Sequence, residues 1–112
     1  MKKIVEYFKG KQLLFKSLVP ISPKALGSRK KIEIYLGVDR SDYYHLILYV
    51  EKRSRIVRKE AEALMQFHEK IEAWRGIGIK KKHILIKAPL CSKAKKYMEE
   101  NGWRVYEVVE GA

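Results

Sequence analysis

The sequence predicts a single α/β domain in which a central mixed β-sheet is covered by helices. Two apolar runs around a short polar turn indicate an antiparallel hairpin, and the hydrophobic spacing then changes from two residues to about 3.6. Helix, strand, helix and strand follow the hairpin in that order. At 112 residues the chain can bury a core without disulfides, so we expect residues 1–112 to form one domain.

The hairpin is the most strongly patterned part of the chain. KIEIYLGV, residues 31–38, alternates and is rich in branched and aromatic residues, DRSD supplies a turn, and YYHLILYV, residues 43–50, is continuously apolar. Before it we expect a short amphipathic helix at 4–9, a strand near 12–19 and a surface loop at 20–31 that carries two prolines.

The second half alternates helices with strands. A helix of about five turns begins near residue 56, HILIKA (83–88) is a buried strand, and WRVYEVV (103–109) closes the chain as a last strand. Between these strands, Ser92 is the expected N-cap of a helix that Asn101-Gly102 ends. Two helical crossovers predict parallel pairing in this half of the sheet. The first helix places one apolar face at Val57, Ala61, Leu64, Phe67, His68, Ile71 and Trp74.

The net charge of +12 is the main functional signal in the composition. Such a surplus favours a polyanion, because each phosphate neutralised by Lys or Arg releases condensed counterions. About two thirds of the surplus lies in residues 1–31, where Glu6 is the single acidic residue. Nucleic acid, either DNA or RNA, is therefore the predicted partner. A membrane surface, an acidic protein, or a lysine-rich surface without any specific anion remain the alternatives.

The composition also excludes several classes of site. Cys91 is the single cysteine, so no internal disulfide forms, and no Cys/His spacing matches a zinc site. No apolar segment reaches membrane-spanning length and the N-terminus lacks a signal-peptide pattern, so we expect a cytoplasmic protein without a membrane partner. Few side-chain amides beside many charged residues suggest a thermophilic source. A homodimer is left open, and the three histidines receive no predicted role.

A charged cluster follows the central strand and suggests a site. If the hairpin turns around residues 39–42, opposed residues have numbers that sum to about 82, which places Glu33 opposite Tyr49. Glu51 then lies one diagonal step away on the same face, within roughly 7 to 8 Å of Glu33, and the two carboxylates could share one divalent ion. Arg53 projects to that side if the strand continues. Asp39 lies about 20 Å away at the turn, too far to join Glu51.

The acidic strand, the VEKRSR stretch and the long helix after it resemble the PD-(D/E)XK nuclease superfamily, including its resolvase-like and mismatch-nuclease-like members. HILIKAPLCSKAKKYMEENGWRVY also looks like the tail of such domains. The resemblance implies a restriction-endonuclease-like fold with the first acid at Glu33. It also implies a Glu-Lys-Arg triplet at Glu51, Lys52 and Arg53, with arginine where the family has lysine. A nuclease of this type would use Mg²⁺ or Mn²⁺ held by Glu33 and Glu51.

Basic residues at the ends of elements predict a phosphate-binding surface, and tryptophans beside arginines predict base stacking. The stacking candidates are Trp74 and Trp103. The basic candidates are Arg29, Lys30, Lys31, Lys52, Arg53, Arg55, Arg58, Lys80, Lys81 and Lys82.

The predicted function is nucleic-acid binding on a nuclease-like scaffold, without cleavage and without a cofactor. The first alternative is a Mg²⁺- or Mn²⁺-dependent endonuclease in which Glu33, Glu51 and Arg53 are catalytic. The second is a basic accessory subunit of a larger assembly. The sequence does not decide between DNA and RNA or between single and double strands.

Overall fold

A computed structural model describes residues 15–27 and 32–107 of the protein. The predicted helix at 4–9 and the predicted binding residues Arg29, Lys30 and Lys31 lie outside this part of the chain. The described residues form a five-stranded mixed sheet, as predicted. Its strands are β1 (Phe15–Ile21), β2 (Glu33–Asp39), β3 (Tyr44–Glu51), β4 (Ile79–Lys87) and β5 (Trp103–Glu107); the helices are α1 (Arg58–Arg75), α2 (Ser92–Glu100) and a 3-10 turn at Pro23–Leu26.

The strands lie in sequence order across the sheet. β1, β2 and β3 are antiparallel, whereas β3, β4 and β5 are parallel, as the two helical crossovers predict. Glu33 pairs with Tyr49, and the same offset holds along the whole hairpin, so the predicted register is confirmed. This register fixes which side chains share a face, because a slip by one residue would turn every side chain over.

Both described helices pack on one face of the sheet. Two right-handed crossovers that step in the same direction place their helices on the same side. Leu46, Leu48 and Val50 of β3 point to that side and form the main core with the apolar face of α1. Neither described helix is long and apolar enough to cross a bilayer. The buried residues of α1 are Ala61, Leu64, Met65, Phe67 and Ile71.

The opposite face carries a second, smaller cluster. Ile47 and Leu85 are buried there, and Phe15 and Leu18 of β1 pack against them. Gly37 of β2 leaves room for the Phe15 ring, since a Cβ at this position would lie 2.8 Å from Cδ1 of that ring. We call this side the open face, because no described helix covers it.

Several element boundaries differ from the prediction. β4 begins at Ile79, because Ile79, Lys81 and Lys82 pair in parallel with the start of β3. Pro20 lies within β1, which is the edge strand of the described sheet and can accommodate a residue without an N–H. Cys91, rather than Ser92, is the N-cap residue of α2. Gly102 follows this helix with φ 82°, as the predicted Asn-Gly ending requires.

Candidate nucleic-acid interface

The parallel strands β3 and β4 finish side by side at Glu51 and Lys87, and we call this edge the strand-exit end. The chain continues from each strand into a helix, and the two connections are joined by a parallel bridge between Ile56 and Leu90. The Ile56 N–H donates to the Pro89 carbonyl at 2.9 Å, and the Cys91 N–H donates to the Ile56 carbonyl at 3.0 Å. The bridge therefore holds the first turns of α1 and α2 next to each other.

Exposed cations follow both strands at this end. In the connection before α1, Arg53 and Arg55 are exposed and Ile56 is buried. Positive charge here adds to the N-terminal ends of two helix dipoles, which favour anions. We call five exposed cations the exit-end surface: Arg53 and Arg55 in the connection, Arg58 at the start of α1, and Lys93 and Lys96 on α2.

The predicted carboxylate pair lies at the same end, on the open face. Glu33, Glu51 and Tyr49 line one cavity of about 200 Å³. The Tyr35 hydroxyl donates to Glu33, and burial together with this bond raises the pKa of Tyr35 to about 12. The Tyr49 hydroxyl donates to Glu51 at 3.3 Å. The structure thus brings the two acids together, each with a phenol as a hydrogen-bond partner.

Lys87, not Arg53, provides the cation beside Glu51. β3 ends at Glu51, so the strand continuation that would have aimed Arg53 at the carboxylates does not exist. Lys87 is paired with Glu51 across the parallel strands, and its Nζ lies 3.5 Å from Glu51 Oε1. The sequence places Lys87 at the end of a buried strand, but it does not give the β3–β4 register that makes the two residues neighbours.

The donor set does not fit a resident divalent ion without rearrangement. Within residues 15–27 and 32–107, no three His, Cys, Asp or Glu side chains converge as a metal site. Mg²⁺ prefers a near-octahedral set of oxygen ligands. Glu33 and Glu51 offer carboxylates that already accept hydrogen bonds from tyrosines, and Glu51 also pairs with Lys87.

The predicted lysine cluster lies at the other end of the sheet. Lys80, Lys81 and Lys82 are in the first half of β4, beside the hairpin turn, about 20 Å along the strand from Lys87. Lys82 Nζ donates to the Asn101 carbonyl at 3.0 Å. The structure therefore separates these lysines from the exit-end surface, although the sequence assigned them to one interface.

Trp103 and Lys52 are less accessible than their predicted binding roles require. Trp103 is only 3% exposed, because it joins the core under the helices, so its ring is not available for base stacking. Lys52 Nζ lies 2.6 Å from Glu60 Oε1, so an ion pair partly neutralises the charge of this half-buried lysine. Trp74, by contrast, is 51% exposed, and the Arg75 guanidinium lies 4.9 Å from the centre of its ring.

A chain of four polar side chains crosses the open face at the hairpin end, and the sequence did not predict it. Asp39 Oδ2 lies 2.7 Å from His45 Nε2, His45 Nδ1 lies 2.9 Å from His83 Nε2, and His83 Nδ1 lies 3.3 Å from the Tyr106 hydroxyl. The four residues come from β2, β3, β4 and β5. Both histidines are completely buried.

The hydrogen-bond partners assign the tautomers of this chain. Since the Asp39 carboxylate accepts, His45 Nε2 donates to it. With both rings neutral, His45 Nδ1 accepts from His83 Nε2–H, and His83 Nδ1 accepts from Tyr106. Burial, with added repulsion from nearby basic groups, lowers the pKa of His83 to about 3, and the bond to His45 lowers the pKa of Asp39.

Comparison with known proteins identifies the fold. No family model matches the sequence, and no curated protein matches it. EndoMS in its apo form superposes with a TM-score of 0.61 at 18% identity, covering 99% of this chain and 47% of that chain. A repair endonuclease from Pyrococcus abyssi gives a TM-score of 0.55 at 14% identity, covering 96% and 45%. A complex of EndoMS with double-stranded DNA gives 0.52 at 16%, covering 98% and 44%.

The chain thus spans about half the length of these solved structures. At such low identities, the similarity establishes the predicted nuclease-like fold and nothing about individual residues of the motif. The protein has a nuclease-like α/β fold with a five-stranded mixed sheet.

Proposed function

We propose that this protein binds nucleic acid through phosphate contacts made by the exit-end surface, on a nuclease-like scaffold that does not cleave the bound strand. The observation that carries the proposal is the cluster of Arg58, Lys93 and Lys96 around one pocket, with the exposed Arg53 and Arg55 in the adjoining connection. Phosphates are the anions that such a set of cations and backbone N–H groups recognises. The net charge of +12 supports the same partner class.

The state of the carboxylates argues against cleavage. A metal-dependent nuclease holds its ion through several oxygen ligands, whereas Glu33 and Glu51 are two acids that each already accept a hydrogen bond from a tyrosine. Lys87 also neutralises part of the charge of Glu51. Among the described residues, no third His, Cys, Asp or Glu side chain joins these two acids to complete a metal site.

The solved structures with the same fold favour DNA as the nucleic acid. Two are of EndoMS, one of them in complex with double-stranded DNA, and the third is a repair endonuclease. Their partner and activity belong to those proteins. For this chain they make DNA the first ligand to test, with RNA as the comparison.

A metal-dependent nuclease is the second candidate, and one observation favours it. Lys87 supplies an amine beside Glu51, which lines one cavity with Glu33. Lysine is a compact donor that can approach a water or a phosphate oxygen, unlike the planar guanidinium.

One gel-resolved experiment separates the two candidates. The wild type, Glu51→Ala and the control Glu69→Ala are incubated with labelled single-stranded, duplex and branched DNA and RNA, in Mn²⁺ and in chelator. We expect intact substrate with a retarded band in every lane that contains protein. Cleavage that requires Mn²⁺ and is lost in Glu51→Ala alone would replace the binding proposal with the nuclease.

A further inference from the structure

A pocket opens between the first turn of α1 and the outer face of α2. It has a volume of about 300 Å³, at the lower end of ligand-site volumes, so it suits a small group rather than an extended strand. The bridge between Ile56 and Leu90 fixes the two helix starts that form its walls. Its lining residues are Arg58, Lys93, Lys96, Tyr97 and Glu100.

The net positive charge of the pocket favours a ligand with an equal negative charge. Three cations and one carboxylate line it, which leaves a formal charge of +2. A phosphate inside a nucleic-acid strand is a diester with one negative charge. A phosphate at the end of a strand is a monoester that carries about −1.5 to −2 at pH 7. The charge of a terminal monoester therefore matches that of the pocket. An internal phosphate would leave part of the pocket's positive charge without a counter-charge.

The cations of this pocket are only loosely held by the protein's own acids. Arg58 Nε lies 3.5 Å from Glu62 Oε1, and Lys96 Nζ lies 3.9 Å from Glu100 Oε1. Both distances exceed the 2.7 to 2.9 Å typical of a charged hydrogen bond. The Arg58 guanidinium is placed over the Tyr97 ring, 5.2 Å from its centre. The ring thus positions the arginine while its N–H groups remain able to donate to a ligand.

Cys91, two residues before Lys93, lies in an environment that favours negative charge. The N–H groups of Ala94 and Lys93 lower the pKa of its thiol, and the charges of Arg55 and Lys93 add to this. The thiolate is the reactive form of cysteine, so alkylation of Cys91 follows this local potential. Because the chain has a single cysteine, the reaction reports on one position.

We propose that the pocket lined by Arg58, Lys93 and Lys96 binds the terminal phosphate of a nucleic-acid strand. The inference rests on the proposed function, since it names the part of the nucleic acid that the exit-end surface recognises. A pocket of this kind distinguishes strand ends, nicks and gaps that carry a phosphate from uninterrupted strands. It also assigns a binding role to Lys93 and Lys96 on α2.

The test compares oligonucleotides of one sequence that carry a 5′-phosphate, a 3′-phosphate or hydroxyls at both ends. Fluorescence anisotropy gives their affinities for the wild type and for Lys93→Gln/Lys96→Gln. The control is Lys59→Gln/Lys70→Gln, which removes the same charge from exposed positions of α1 that do not line the pocket. Circular dichroism checks that both variants are folded.

We expect one phosphorylated end to bind the wild type about tenfold more tightly than the hydroxyl end. The preference should disappear in Lys93→Gln/Lys96→Gln and persist in the control. It should also shrink between pH 7.5 and about pH 5, because the second pKa of the phosphate is about 6. Equal binding of phosphorylated and hydroxyl ends by the wild type would overturn the inference and leave the proposed function standing.

A second measurement tests the pocket without nucleic acid. Inorganic phosphate should slow the alkylation of Cys91 by iodoacetamide in the wild type and in the control, but not in Lys93→Gln/Lys96→Gln. If phosphate protects Cys91 but no oligonucleotide binds in the anisotropy titrations, the pocket holds phosphate, and both the proposed function and its strand-end ligand are overturned. If phosphate gives no protection and phosphorylated ends gain no affinity, the pocket does not bind phosphate.

Discussion

His45 and His83 lie on the parallel strands β3 and β4 with Nδ1 of the first ring 2.9 Å from Nε2 of the second, and both side chains are completely buried. Their ring planes are nearly parallel, with an interplanar angle of 4°, and the two rings meet edge to edge at this contact. The hydrogen bond between them links Asp39 at the hairpin turn to Tyr106 on β5. The polar chain therefore ties four strands together on the open face.

The buried His83 makes stability depend on pH. Its pKa falls from 6.5 to about 3 on folding. Between pH 6.5 and about pH 3, His83 is therefore protonated in the unfolded chain and neutral in the native protein. Stability should therefore fall as the pH drops below about 6.5, by at most about 1.4 kcal/mol per pH unit for this one group. Urea unfolding of the wild type and of His83→Gln from pH 8 to pH 4 checks this. A slope that is the same in both proteins would contradict the assignment.

Asp39 has two structural roles, and its removal should destabilise the fold. Its Oδ2 accepts from His45, and its Oδ1 accepts from the N–H groups of Ser41 and Tyr43 within the turn. Asp39→Ala leaves the buried His45 without this acceptor and should lower the urea midpoint more than Asp39→Asn, which keeps an oxygen and an amide. Equal midpoints for the two variants would show that the chain is not anchored at Asp39.

Gly37 is required by the ring of Phe15. Gly37→Ala places a methyl group 2.8 Å from Phe15 Cδ1, and we expect a loss of about 1 to 3 kcal/mol in the free energy of unfolding. Gly78→Ala is the matched control, since no atom lies within 4 Å of its added Cβ. This control should remain within about 0.5 kcal/mol of the wild type. Equal losses in the free energy of unfolding for Gly37→Ala and Gly78→Ala would contradict the close packing of Phe15 on Gly37.

Glu51 weakens phosphate binding if the protein binds without a metal. Glu51→Gln removes a negative charge at the strand-exit end and should raise the affinity for DNA about two- to threefold in chelator at about 0.1 M salt. Glu69→Gln makes the same change in net charge about 17 Å further along α1 from Arg58. Anisotropy titrations measure both. A loss of affinity in Glu51→Gln, or an equal gain in the control, would argue against a local effect.

Local pattern was sufficient to predict the hairpin, its register and the pairing of Glu33 with Glu51 on one face. Alternation around a four-residue turn specifies which hairpin residues are opposed, and the structure shows this register. The turn also separates Asp39 from Glu51, as expected.

Contacts between parallel strands could not be predicted in the same way. A helical crossover does not fix the register of the strands it joins, so Lys87 beside Glu51 and His83 beside His45 became visible only in the folded protein. Without this register, the sequence also does not show that Lys80, Lys81 and Lys82 lie at the opposite end of the sheet from Arg53. A neighbouring arginine does not indicate exposure, since the side chain of Trp103 turns into the core.

The salt dependence of DNA binding tests the central claim most directly. Anisotropy titrations from 50 to 300 mM NaCl compare the wild type with Arg53→Gln/Arg55→Gln/Arg58→Gln and with Lys80→Gln/Lys81→Gln/Lys82→Gln. We predict that log K falls linearly with log[salt] for the wild type, with a slope of about −0.9 for each phosphate contacted on duplex DNA. The arginine variant should have a slope shallower by about 2 to 3, and the lysine variant should keep that of the wild type. A flat response in the wild type, or the same loss of slope in both variants, would contradict phosphate binding by the exit-end surface.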